Sequence, residues 1–182
     1  MKPQRSIGSL SRAGSAEVAF DPIAALQTLQ RHGVRFVVIG GVAGRLWGSP
    51  TLTNDVDISY DRAPANLERL AAALTELNAR LRGVDDDVPF LLDAMTLANG
   101  QNFTFTTDLG PLDILGLPAG VKDFNELAVN ASEFDLGQGV VVPVCDLDDL
   151  INMKRAAGRP KDRIELEVLG AVREERERGH DR

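Results

Sequence analysis

The chain has 182 residues, of which 43% are hydrophobic and 26% charged, with a net charge of −7 and a sequence pI near 4.9. That length and balance suit one domain with its own core and exclude a disordered or fibrous chain. No apolar run approaches the roughly 20 residues of a membrane span, so no membrane partner is expected. The single cysteine, Cys145, excludes an internal disulfide framework and a cysteine metal site, which points to a reducing cytoplasmic setting. The acidic balance argues against a broad nucleic-acid footprint. Lys154, Arg155, Arg159, Lys161 and Arg163 nevertheless form a basic cluster able to meet phosphates locally.

Residues 1–19 are basic and rich in small residues but lack the apolar segment of a secretory signal, and they are expected to form a mobile leader. Order is expected from Phe20: Asp21 suits an N-cap, Pro22 a first helical position, and Ile23, Leu26 and Leu29 recur at helical spacing up to Gly33. Residues 34–39 read as a buried strand ending in Gly40-Gly41. A short helix over 42–47 follows, broken by Gly48-Ser49-Pro50.

Over 54–60, Asp55, Asp57 and Ser59 alternate with Val56, Ile58 and Tyr60, the period-2 pattern of a strand with one polar face. Pro64 opens a helix through about Asn78 with a stripe of Leu67, Leu70, Leu74 and Leu77. A polar loop is expected around 83–88 and a short helix within 90–98. Residues 102–107 and 111–115 read as a hairpin turning at Asp108-Leu109-Gly110, with Asp113 on the second arm between Leu112 and Ile114. Residues 127–134 and 139–144 are further strand candidates. From Asp146 the pattern turns helical, in one helix through Lys154 and a last one from about Pro160 toward Arg176, and the tail over 176–182 is expected to fray.

Residues two apart on a strand share a face, with Cα atoms about 6.5–7 Å apart, so the Asp55 and Asp57 carboxylates converge on one site. Two carboxylates on an apolar-backed strand repel unless cations or donors neutralise them. Oxygen ligands of this kind suit Mg²⁺ or Mn²⁺, and two such ions about 3.5–4 Å apart can clamp the attacking and leaving oxygens of a phosphoryl transfer. Asp113 is the natural third carboxylate. Alone, an Asp-x-Asp is as consistent with solvated strand aspartates, and Gly-Gly with an ordinary strand-to-helix turn. Together, the strand, the glycines, the helix start and the acidic strand place a close backbone approach next to a metal-type site.

The segment FVVIGGVAGRLWGSPTLTNDVDISY resembles the signature of the polymerase-β-like nucleotidyltransferase superfamily, in which Gly-Gly or Gly-Ser precedes Asp-apolar-Asp. Here 13 residues separate Gly41 from Asp55. TNDVD is most similar to the small bacterial AbiEii-like toxins of toxin-antitoxin systems. GPLDILG resembles the third-aspartate strand, and DLDDLINMKRAAGRPKDRIELEVL the helical region after it. The resemblance implies an α/β fold, a nucleotidyltransferase-type mixed β-sheet flanked by helices, with the core over 20–145, a C-terminal helical section over 146–175 and a tail over 176–182. It implies transfer of an NMP group from an NTP such as ATP to an acceptor hydroxyl, a tRNA 3′ end or a protein. Mg²⁺ or Mn²⁺ would be the cofactor and a cognate antitoxin a partner. Asp55, Asp57 and Asp113 would hold the metals, with Asp113 as base, and Lys154 would stand near the leaving pyrophosphate. Gly40 and Gly41 would admit the triphosphate, with Thr53, Ser49, Arg159 and Lys161 as further nucleotide contacts and Asp162 a weaker candidate. Gly41 departs from relatives that carry Ser there.

The competing readings are a noncatalytic nucleotide-sensing or partner-binding module on the same fold, an antibiotic nucleotidyltransferase, and a glycosyltransferase that uses Asp-x-Asp for a nucleotide sugar. His32 suits the end of its helix, Trp47 packing against the sheet, Cys145 a buried position, and residues 85–87 a solvated loop. His180 lies in the tail.

Overall fold

A computed structural model describes residues 20–84 and 90–180, apart from the side chains of Lys161 and His180. The leader over 1–19, the acidic loop over 85–87, the end of the tail, and the side-chain roles of Lys161 and His180 lie outside the described residues.

Helix α1 (Pro22–Arg31) begins as its sequence dictates: Asp21 Oδ1 accepts from the Ala24 N–H at 3.0 Å and Pro22 takes the first position. Leu26 and Leu29 are fully buried. Gly33, in the left-handed region at φ +66°, releases the chain toward β1 (Phe36–Ile39), whose four residues are all buried, as in a strand covered on both faces. Helix α2 (Gly40–Leu46) follows directly, then β2 (Val56–Tyr60) and α3 (Pro64–Glu76). Asp55 sits one residue before β2 rather than within it. Strand β3 (Arg80–Leu81) is too short to carry a period-2 pattern and goes unread in the sequence.

Helix α4 (Ala94–Asn99) is capped by Asp93, which accepts from the Thr96 N–H at 2.7 Å. The β4 (Asn102–Thr107) and β5 (Gly110–Leu115) hairpin forms as expected. The strand expected over 127–134 does not form as such. Asp123 accepts from the Glu126 N–H at 2.9 Å and starts α5 (Phe124–Asn130), which buries Phe124 and Leu127 at helical spacing. Only β6 (Ser132–Asp135) is extended there. After β7 (Val141–Val144), Asp146 caps α6 (Leu147–Ala157), which ends at Gly158 with φ +62°. Helix α7 (Pro160–His180) continues past Arg176 through most of the expected tail.

The seven strands form one mixed sheet in the order β3-β4-β5-β2-β1-β7-β6. Strand β2 runs antiparallel to β1 and parallel to β5, and β1 runs parallel to β7. Helices α1, α3 and α4 pack on one another in turn, as do α2, α6 and α7. The core joins Leu26, Leu70 and Leu74 to Val38, Ile58, Ile114 and Val144, and Leu169 of α7 is fully buried against it. Among the described residues, no helix is long and apolar enough to cross a membrane.

Candidate active site

Register builds the site. Asp57 is the direct partner of Ile39 on β1 and of Asp113 on β5, so adjacent strands deliver two carboxylates to one row of the sheet. Asp55 enters from the turn just before β2, where Thr53 Oγ1 donates to its Oδ1 at 2.8 Å and fixes its rotamer. Asp55, Asp57 and Asp113 each offer a carboxylate oxygen within 4.8 Å of the others. The expected triad is therefore assembled.

The two glycines work beneath it. Gly40 has φ +65°, and a Cβ there would lie 2.6 Å from Asp57 Cγ, so backbone conformation and space both demand glycine. A Cβ on Gly41 would lie 2.6 Å from Thr53 Cβ, so Thr53 as placed leaves no room for a side chain there. The Gly41 N–H donates to the Asp57 carboxylate. Even so, burial, then Asp55, then Asp113 push the Asp57 carboxyl up to about 6, against the pull of Lys154 and that hydrogen bond. Three crowded carboxylates with only oxygen donors fit a hard divalent cation, which would relieve the repulsion that raises Asp57.

Lys154 is buried in α6, where Nζ donates to Glu165 Oε2 at 2.5 Å and lies 3.8 Å from Asp162 Oδ1. Its charge still acts on Asp57. Arg159 is more exposed, with Nε 2.8 Å from Asp162 Oδ2, and it feels Asp57 and Asp55. Burial opposes ionisation of Asp162, but the Arg159 hydrogen bonds and Lys154 outweigh it and hold its carboxyl below the usual range. Ser49 is engaged inside its turn: its hydroxyl donates to Thr51 Oγ1 at 3.1 Å and accepts from the Thr51 N–H at 3.2 Å.

Two residues at the site escaped the sequence reading. Arg82 Nη2 donates to Asp113 Oδ1 at 2.6 Å. Glu165 lies three residues after Asp162 on one stripe of α7, but its partner Lys154 stands on another helix, so no spacing in the sequence marks the pair. Thr53, which holds Asp55, also lines an apolar cleft of about 340 Å³ together with Phe20, Ile23, Val42, Leu46 and Leu52. Trp47 packs as expected, its Nε1 donating to Cys145 O at 2.8 Å and its ring edge-on to Phe134. His32 faces Glu76 at 2.6 Å, and Cys145 is fully buried.

The fold is of the nucleotidyltransferase type, a mixed sheet flanked by helices with a C-terminal helical pair. Among solved structures it is similar to the lincosamide antibiotic adenylyltransferase LnuA with lincomycin bound, with a TM-score of 0.54 and 12% identity over 82% of this chain and 94% of that one. A weaker likeness is to the antibiotic-resistance factor ANT(2″)-Ia in complex with adenylyl-2″-tobramycin, with a TM-score of 0.49 and 16% identity over 83% of this chain and 94% of that one. The fold assignment rests on the first. No family model and no curated protein matches the sequence.

Proposed function

We propose that this chain is a divalent-cation-dependent nucleotidyltransferase that moves an NMP group from an NTP to an acceptor hydroxyl and releases pyrophosphate. The observation that carries the reading is the convergence of Asp55, Asp57 and Asp113 on one point of a sheet of this fold. A bond forms between the acceptor oxygen and the α-phosphorus, the α–β phosphoanhydride breaks, and Asp113 takes the hydroxyl proton. Asp55 and Asp57 would hold Mg²⁺ or Mn²⁺, which supplies charge neutralisation at the transferring phosphate. Thr53 holds Asp55 in place, and Gly40 and Gly41 keep the approach open. Lys154 and Arg159 place positive charge on the pyrophosphate side, with Lys161 as a further contact.

The similarity of TNDVD to AbiEii-like toxins favours a tRNA 3′ end or a protein as acceptor, with the chain acting as the toxin of a toxin-antitoxin pair. The second reading is an antibiotic acceptor, favoured by the likeness to LnuA. Incubation with α-phosphate-labelled NTPs and cell extract, with parallel reactions on a lincosamide and an aminoglycoside, separates the two. Label is expected in RNA or protein, and Asp55→Asn should lower it by about 10²–10³-fold. Label in none of the acceptors, with all four NTPs and both metals, would refute the reading.

A further inference from the structure

Arg82 has no place in the sequence pattern that points to the site, yet it stands on one of the three carboxylates. Its backbone N–H donates to Thr104 O at 2.9 Å, extending the ladder between β3 and β4 one residue beyond the Leu81–Phe105 pair. Thr104 is the register partner of Asp113, and Asp113 that of Asp57. Arg82, Thr104, Asp113 and Asp57 thus occupy one row across the sheet, and the short Thr104 side chain lets a long one from beyond it reach Asp113. Arg82 Nη2 donates to Phe105 O at 3.1 Å as well as to Asp113 Oδ1 at 2.6 Å, which fixes the guanidinium from two strands.

A guanidinium keeps its charge at any working pH. Bonded to Asp113, it occupies lone-pair space that a metal ion would use and sets a positive charge beside any ion that approaches. The charge count points the same way. Three ionised carboxylates are neutralised by one divalent cation and one guanidinium, whereas two divalent cations and the guanidinium would leave a surplus of two.

Resting on the divalent-cation reading above, we propose that Arg82 takes the place of a second cation at Asp113, so that the nucleotide-free protein binds one divalent ion at the triad, on the Asp55–Asp57 side. The test is a count of bound Mn²⁺ in metal-free protein, by electron paramagnetic resonance of the free ion and by calorimetry. Wild type should bind one ion per chain. Arg82→Ala should bind two, the second at least about tenfold tighter than any second site in wild type. Arg82→Lys, which keeps the charge, should bind one. Arg82→Gln, which keeps length and loses charge, carries the same expectation as Arg82→Ala should the alanine variant not fold, as judged by circular dichroism. Two ions in wild type, or one in a folded neutral variant, would overturn the role of Arg82 and leave the cation reading standing. Wild type that binds none would also overturn this proposal, and the labelled-NTP reactions above decide the cation reading separately.

Discussion

Asp57 is where the fold and the chemistry of this chain conflict most. Its carboxyl is raised from 3.8 to about 6 by burial and by Asp55 and Asp113, so between those values the folded protein holds a proton that the unfolded chain has lost. Stability of the metal-free protein should therefore fall as pH rises from about 4 to 6 and level off above, a loss on the order of 2 kcal/mol after solvent screening. Asp57→Asn removes that dependence. Melting in chelator should show the variant several degrees above wild type at pH 7.5, with the gap closing at pH 4. A constant gap over that range would show that Asp57 ionisation is not its source. Added Mg²⁺ should stabilise wild type by mass action and leave the variant much less affected.

Gly40 makes the second claim at this scale. A side chain there meets both an unfavourable φ of +65° and the Asp57 carboxylate. Gly40→Ala should cost about 2–4 kcal/mol in urea denaturation, the sum of left-handed strain and overpacking. A cost below about 0.5 kcal/mol would mean that Asp57 has room to move.

At the scale of elements, the junction of α6 and α7 turns on a buried charge cluster. Lys154 is nearly enclosed, with the carboxylates of Glu165 and Asp162 within 4 Å of its ammonium group. Removing one partner of a buried pair leaves the other uncompensated, so Glu165→Ala should cost about 3 kcal/mol and Lys154→Met with Glu165→Ala less than the sum of the single changes. A double-mutant cycle by chemical denaturation checks this, and strict additivity would exclude the pairing.

Elements with strong local signals were legible in the sequence. The Asp21-Pro22 start, the Gly33 stop and the leucine stripe of α3 each carry their own cause, and each formed. Residues 127–134 misled because Leu127, Ala128 and Val129 fit a strand as readily as a helix, and the Asp123 cap that decides the matter lies upstream. The Asp-x-Asp periodicity predicted a shared site, and register with β5 completed it through Asp113. Arg82 was illegible because its meaning depends on the pairing of β3 with β4, a long-range fact that a two-residue strand does not announce. The carboxylates of α7 that enclose Lys154 are not legible in the sequence, since helix-on-helix partners leave no mark at a single position.

For the whole molecule, one sheet assembles the site: β1 ends at the glycines, the turn before β2 and β2 itself bring Asp55 and Asp57, β5 brings Asp113, and α6 with α7 holds the Lys154–Glu165 and Arg159–Asp162 pairs whose cations act on Asp57. The acidic triad is assembled on a sheet of nucleotidyltransferase-type fold, and that coincidence is the basis of the functional proposal. Its most direct test is pyrophosphate release from each NTP with Mg²⁺ or Mn²⁺ in the presence of cell extract, comparing wild type with Asp55→Asn and Asp57→Asn variants that melt as folded proteins. The account predicts metal-dependent release by wild type that drops by about 10²–10³-fold in both variants. Release that is undiminished in either folded variant would contradict it.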